Sequence, residues 1–193
     1  MIPLPHQASA HGLEAKTQQH ELLSVWARTT SEFVLENRPA SLTALVAHVR
    51  ENLQYIGFAD KNTIIRVCGA FTEALDNALY HGNLELSSDL RRGDHSEWHS
   101  AVAERMQRSP FKDRRIFVSV NITRAEIGIA IRDEGLGFDY TKLPDPTAPE
   151  YLERSTGRGV FLVRNLMDEV HFNESGNQIT LIKRSPTRVF STF

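Results

Sequence analysis

The segment FTEALDNALYHGN, residues 71–83, has the pattern of the end of an amphipathic helix that carries a polar stripe. Glu73, Asn77 and His81 are spaced four residues apart, so a continuous helix would stack a carboxylate, a carboxamide and an imidazole on one side. The apolar residues of the same helix centre on the opposite side when each residue advances by about 100°. The pattern predicts a helix over 60–81 with one face in the core. Its polar face is available for a ligand, although a solvated helix face would give the same stripe.

The composition is that of an ordinary globular protein without a large charge imbalance. The chain has 193 residues, which is enough for one sizeable domain with its own core. Hydrophobic residues make up 40% and charged residues 24%, and the net charge of -2 provides no basic field for nucleic acid. The single cysteine, Cys68, excludes a disulfide within the chain. Because no apolar run approaches membrane-spanning length and the N-terminus lacks a secretory pattern, we expect a cytoplasmic protein without a membrane partner.

Apolar periodicity along the rest of the chain predicts strands and helices of one domain. Strands are predicted in SEFVLEN, RRIFVSVNI and AEIGIAIRDEG, helices in PASLTALVAHVRENLQYIG, SEWHSAVAERMQR and GRGVFLVRNLMDE, and a terminal hairpin turns near residues 175–177. Strands grouped as hairpins with helices on one side indicate an α+β two-layer sandwich. We expect a domain over 30–185 with an insertion at 85–114, preceded by a tail or helix at 1–29 and followed by a tail at 186–193.

A first glycine pair follows the second strand of the central hairpin, in RDEGLGFD. Asp133 ends this strand, and Gly135 and Gly137 come directly after it. Glycines permit positive φ angles and let a ligand approach the backbone closely. The segment therefore suits a ligand-binding loop, and it equally suits a tight turn with a solvent-exposed aspartate.

A second glycine pair, Gly157 and Gly159, precedes the helix in STGRGVFLVRNL. The start of a helix offers free N–H groups and a partial positive charge, which suit a phosphate, and Arg158 would add a cation. An ordinary helix capped by Ser155 or Thr156 would fit the same residues. Neither glycine pair completes GxGxxG, and GxxxxGK[ST] is absent, so the sequence contains no Rossmann or P-loop phosphate motif.

The three motifs together, in this order, resemble those of the histidine-kinase-like ATPase superfamily, also called GHKL or Bergerat-fold. The segment EALDNALYHGN is similar to that family's N box, DEGLG to its first glycine box and GRGVFLVRNLMDEV to its second. The second glycine box looks most like that of the anti-sigma factor serine/threonine kinases. The resemblance covers about residues 30–185. It implies a mixed, mostly antiparallel sheet with helices on one face.

The resemblance also implies ATP and Mg²⁺ as ligands and gives roles to individual residues. Glu73 corresponds to the general base, Asn77 to the Mg²⁺ ligand and Asp133 to the acceptor of the adenine amino group. The glycines of the first box shape the adenine pocket, the second box wraps the triphosphate, and residues 138–156 form a short ATP lid. The residues expected to bind nucleotide are Asn77, His81, Asp133, Gly135, Gly137, Thr156, Gly157, Arg158, Gly159 and Val160.

Three functions are consistent with these features. The first is an anti-sigma-type serine/threonine protein kinase of bacterial signal transduction, with an anti-anti-sigma-like protein, a sigma factor or a response regulator as partner. The second is a nucleotide-gated module that sequesters such a partner without phosphorylating it. The third is a stand-alone ATPase domain of a histidine kinase, which the missing pair of dimerisation helices disfavours.

The insertion at 85–114 is longer than the corresponding link of the compact anti-sigma kinases. Its predicted helix carries Trp98, Val102 and Met106 on one face. We expect this face to contact a partner or a second copy of the chain, and the alternative is that it packs on its own domain.

Overall fold

The computed structural model describes residues 26–88, 90, 95–142 and 158–186. Most of the predicted lid, the C-terminal tail beyond residue 186 and the N-terminal tail as far as residue 25 lie outside the described residues. None of the helices in the described part of the chain combines the length and the apolar character that crossing a lipid bilayer requires.

The described residues form a five-stranded sheet. The strands are β1 (Arg28–Leu35), β2 (Ile116–Thr123), β3 (Glu126–Arg132), β4 (Glu169–Phe172) and β5 (Gln178–Arg184). Their order across the sheet is β1-β2-β3-β5-β4, and β2–β3 and β4–β5 are hairpins. Every neighbouring pair of described strands is antiparallel, which agrees with the expected, mostly antiparallel sheet.

Helices cover one face of this sheet, which gives the predicted α+β sandwich of two layers. On β2 every second residue is buried, because the strand turns one side toward the helices. The helices are α1 (Pro39–Tyr55), α2 (Lys61–Asp76), α3 (His95–Arg105) and α4 (Arg158–Leu166). Helix α2 lies at the centre of the helical layer, where it packs on α1, α4, β3 and β5.

Helix α2 begins at a side-chain cap and changes its winding at its C-terminal end. Asp60 Oδ1 accepts hydrogen bonds from the backbone N–H groups of Asn62 at 2.8 Å and Thr63 at 3.1 Å, which satisfies the helix start. After residue 76 the chain continues as a π-helix, Asn77–Asn83. The continuous helix predicted over 60–81 is therefore α-helical only in its first part. Short π-helical turns often occur at functional sites.

The insertion folds back onto the end of the π-helix. Trp98 of α3 is only 7% exposed, and its ring centroid lies 5.5 Å from that of Tyr80 and 6.5 Å from that of His81. Val102 and Met106 pack against the same core. The predicted partner surface is thus wrong for Trp98, which is buried by its own domain, and Val102 and Met106 are partly buried against the same core.

Candidate functional site

The first and third motifs meet where α4 begins. Gly159, in the first turn of α4, lies directly against the carboxylate of Glu73 and the carboxamide of Asn77 on α2 and the π-helix. A β-carbon at position 159 would overlap Glu73 Oε1 and would lie 3.2 Å from Asn77 Nδ2. Any larger residue at this position would therefore push the Glu73 carboxylate out of its place. The start of α4 therefore lies beside one carboxylate and one carboxamide, both half-buried.

The end of the π-helix and the first glycine motif meet at Asp133. This aspartate is only 9% exposed, and its carboxylate occupies the space in front of Gly82. A β-carbon at position 82 would lie 2.6 and 2.7 Å from the two carboxylate oxygens. A β-carbon at Gly135 would overlap the carbonyl oxygen of Gly82 and lie 2.9 Å from Asp133 Oδ1. Gly82, Asp133 and Gly135 are therefore closely packed, and the Asp133 side chain fills the space that a side chain at position 82 would need.

The environment of Asp133 favours its protonated form more than water does. Burial raises the pKa of its carboxyl from 3.8 to about 6. The backbone N–H of Gly135, which donates to Asp133 Oδ1 at 2.8 Å, and the charges of Arg114 and Arg132 act in the opposite direction and lower this pKa. A ligand that donates an N–H group to the carboxylate would stabilise its charged form. Asp133 is therefore a preorganised acceptor for such a ligand.

The turn between β4 and β5 holds the first glycine motif from the other side. Asp133 N–H donates to the carbonyl of Asn177 at 3.0 Å, and Asn177 Nδ2 donates back to the carbonyl of Asp133 at 3.2 Å. Gly137, with φ at 73°, lies so close to Ser175 that a β-carbon would overlap the Ser175 carbonyl oxygen. The loop after β3 is thus tied to the hairpin that ends the sheet. The sequence indicated this hairpin as a turn but gave it no part in a site.

Two residues of the π-helix contribute to the site although the sequence pattern did not single them out. Gly82 provides the space that the Asp133 carboxylate fills. Asn83 is completely buried, and its Oδ1 accepts a hydrogen bond from the backbone N–H of Glu134 at 2.8 Å. A glycine followed by a polar residue, within an otherwise helical segment, was the signal in the sequence for both.

The remaining predicted residues fall into two groups. His81 Nδ1 donates to the carbonyl of Leu86 at 2.6 Å, so its ring braces the chain after the π-helix, and its contact with nucleotide stays a prediction. Arg158 and Val160 belong to the first turn of α4, whereas Thr156 and Gly157 lie outside the described residues.

The side chains beside the start of α4 include a carboxamide of the kind that ligates a magnesium ion shared with phosphates. Among the described residues, no group of three or more histidine, cysteine, aspartate or glutamate side chains is arranged to hold a metal. Mg²⁺ is usually held by one or two protein oxygens, with substrate phosphates and water completing its six ligands. The carboxamide oxygen of Asn77 fits this requirement, and the Glu73 carboxylate lies beside the same helix start.

Comparison with known proteins assigns the chain to a family. The histidine kinase-like ATPase domain matches residues 35–183, which include all three motifs. The chain belongs to this family. The resemblance indicated by the three motifs is thereby confirmed, and the family is one of ATP-using domains. Its ligand is accordingly ATP.

Solved structures include similar chains, and the curated proteins contain no match. One solved structure contains the RsbU and RsbW domains of Rv1364c from Mycobacterium tuberculosis, and the chain is 17% identical to it with a TM-score of 0.46. The match covers 85% of this chain and 35% of that one, so the protein described here spans about a third of its solved relative.

Proposed function

We propose that this protein is an ATP-dependent serine/threonine protein kinase of the anti-sigma type, acting on a protein partner in the bacterial cytoplasm. The observation that carries the proposal is the contact of Gly159 with Glu73 and Asn77 at the start of α4. A helix start favours phosphate, and the two side chains add a carboxylate and a carboxamide at the same point. These are the groups that a phosphoryl-transfer site needs beside the terminal phosphate of ATP.

Asp133 selects the base of the nucleotide in this proposal. Adenine carries an amino group that can donate a hydrogen bond to the carboxylate, whereas guanine carries a carbonyl oxygen at that position. A carbonyl oxygen facing a buried carboxylate leaves two acceptors without a hydrogen between them, which is costly. The loop after β3, braced by the β4–β5 turn, keeps the Asp133 carboxylate in place for this contact.

Asn77 would hold Mg²⁺, and the charge of this ion would offset that of the phosphates and orient them. Glu73 takes the proton from the hydroxyl of a serine or threonine of the partner. The hydroxyl oxygen forms a bond to the terminal phosphorus as the bond from this phosphorus to the bridging oxygen of ADP breaks. The products are a phosphorylated partner and ADP, with the proton on Glu73. The N–H groups at the start of α4 stabilise the negative charge on the transferred group.

A second candidate is a module that binds its partner according to its nucleotide state, without transferring phosphate. The observation in its favour is the side chain of Leu136, which is 83% exposed in the loop that directly follows Asp133. An apolar side chain on a loop that contacts the nucleotide could contact a partner protein, so that nucleotide binding would alter the affinity for this partner. The candidate partners are an anti-anti-sigma-like protein, a sigma factor and a response regulator, and a second copy of the chain would make a homodimer.

Incubation with radiolabelled ATP and each candidate partner separates the two candidates. The kinase should transfer label to a serine or threonine of one partner, and Glu73→Gln should lose this transfer while still binding ATP. Binding of a partner that depends on ATP, with no label transferred to any partner by the wild-type protein, would overturn the kinase in favour of the binding module.

A further inference from the structure

Arg114, the second-last residue before β2, connects the end of the insertion to the end of the π-helix. Its side chain is 15% exposed. Nη1 donates to the carbonyl of Asn83 at 2.8 Å, and Nη2 donates to Glu85 Oε1 at 2.7 Å. One guanidinium therefore bridges a main-chain carbonyl and a carboxylate, a geometry that lysine cannot reproduce.

A second arginine of the insertion binds the same stretch of backbone. Arg105 Nη1 donates to the carbonyls of Leu84 and Glu85, the latter at 2.6 Å. The Cζ atoms of Arg105 and Arg114 lie 4.9 and 5.2 Å from the centroid of the Phe111 ring. Helix C-termini expose carbonyls that need donors, and they carry a partial negative charge. The two guanidinium groups satisfy three successive carbonyls at this terminus and neutralise its charge.

Asn83 connects the contacts of Arg114 to the surroundings of Asp133. Its main-chain carbonyl is held by Arg114, and its buried carboxamide accepts from the N–H of Glu134, the residue after Asp133. Asn83 Nδ2 donates to Asn37 Oδ1 at 2.8 Å, which fixes the orientation of the carboxamide. The residue before Asn83 is Gly82, which lies directly against the Asp133 carboxylate. A displacement of the π-helix end would therefore move the contacts on both the backbone and the side chain of Asp133.

We propose that Arg114 is a positioning residue for Asp133, because it holds the end of the π-helix where Gly82 and Asn83 set the place of the Asp133 carboxylate. This inference rests on the proposed role of Asp133 in binding adenine. It makes the insertion a structural part of the nucleotide pocket. Arg114 acts on Asp133 by its charge as well, since that charge lowers the pKa of the Asp133 carboxyl, as the charge of Arg132 does.

Three variants test the inference: Arg114→Gln, Arg114→Lys and the control Arg108→Gln. Arg108 belongs to the same insertion and pairs with Glu104 at 3.1 Å on an exposed surface, so its loss removes a cation without touching the π-helix. Calorimetry should show about tenfold weaker binding of both ATP and ADP to Arg114→Gln, since the affected contact is with the base common to both. The ratio of the two affinities should stay constant. Arg108→Gln should bind both nucleotides as the wild-type protein does.

A carboxyl NMR titration of Asp133 without nucleotide gives a readout that does not depend on ATP. Arg114→Gln should raise the titration midpoint of Asp133, and Arg108→Gln should leave it unchanged. Arg114→Lys keeps the charge but loses the bridge, so it should bind ATP more weakly than wild type with a nearly unchanged midpoint. This variant also decides the question if Arg114→Gln does not fold.

The inference is overturned if folded Arg114 variants keep both the wild-type midpoint of Asp133 and the wild-type affinity for ATP. It is also overturned if Arg114→Gln changes the ATP-to-ADP ratio alone, because the phosphates would then be its target. A displaced Asp133 carboxyl resonance in Arg114→Lys, which retains the charge, together with full ATP affinity in Asp133→Asn, supports the positioning role and refutes the proposed adenine contact instead.

Discussion

Replacing Asp133 with asparagine should stabilise the protein without nucleotide and weaken its binding of ATP. The substitution keeps the shape of the side chain and removes its charge. The Gly135 N–H that donates to Asp133 Oδ1 at 2.8 Å can donate equally to the oxygen of the asparagine carboxamide. The perturbation therefore isolates the effect of a buried negative charge at one position.

The size of the effect on stability follows from the raised pKa of Asp133. Burial moves the pKa of this carboxyl from 3.8 to about 6 in the folded protein. The folded state thus holds the proton more tightly than the unfolded state. The stabilisation that comes from protonated Asp133 is fully present below pH 3.8 and is lost as the pH rises through about 6. At pH 7.5 the buried charge costs about 3 kcal/mol, since one pKa unit corresponds to ~1.4 kcal/mol.

Urea unfolding at pH 7.5 should show Asp133→Asn more stable than wild type by about 1–3 kcal/mol. The lower end of this range reflects the cost of burying the asparagine carboxamide, which also loses contact with water. This gain should shrink as the pH falls to 4. Calorimetry should show ATP binding weaker by about ten- to a hundredfold, the effect of losing one charge-assisted hydrogen bond. Glu174→Gln, which neutralises an exposed carboxylate on the β4–β5 turn, is the control and should change neither quantity. A variant that is no more stable than wild type, or that binds ATP equally well, would refute the reasoning.

Three further predictions concern other parts of the site and fold. Glu73→Gln should bind ATP at least as well as wild type and transfer phosphate about 10²–10⁴-fold more slowly, whereas Asn77→Ala should lose Mg²⁺-dependent affinity. Calorimetry and turnover on the same preparations check this contrast, and identical behaviour of the two variants would contradict it. Hydrogen exchange in residues 138–156 should slow when ATP is added, and equal exchange with and without ATP would argue against a lid. Trp98→Ala should lower the free energy of unfolding by about 3–5 kcal/mol, measured with urea, and an unchanged value would show that this ring is not part of the core.

The sequence predicted the secondary structure well because its apolar periodicity is strong. The strand pair β2–β3 and the final hairpin were confirmed, as were helices α1 and α4. On β2 and β3 every second residue is buried, as the alternating apolar residues predicted. The sequence correctly predicted an apolar face on α3. It did not predict that Trp98 on this face packs against its own domain. Periodicity identifies an apolar face but contains no information about which surface covers it.

The π-helix was not predicted, because its wider winding depends on contacts between distant segments. The local sequence from Asn77 onward is compatible with an α-helix. In the folded protein, Leu84 N–H donates to the carbonyl of Leu79 at 2.9 Å, five residues back, while Gly82 packs against Asp133 and Asn83 against Glu134. The convergence of the three motifs was expected from the family resemblance. The separate contacts of Gly82 and Asn83 could be found only from the structure.

A calorimetric titration of the wild-type protein with ATP and GTP, each with and without Mg²⁺, tests the proposed site most directly. We predict saturable ATP binding that requires Mg²⁺ for full affinity, because Asn77 and the phosphates share the ion. We predict GTP affinity at least about tenfold lower, because Asp133 accepts from an adenine amino group. Equal affinities for ATP and GTP, or ATP binding that is indifferent to Mg²⁺, would contradict the roles given to these two residues.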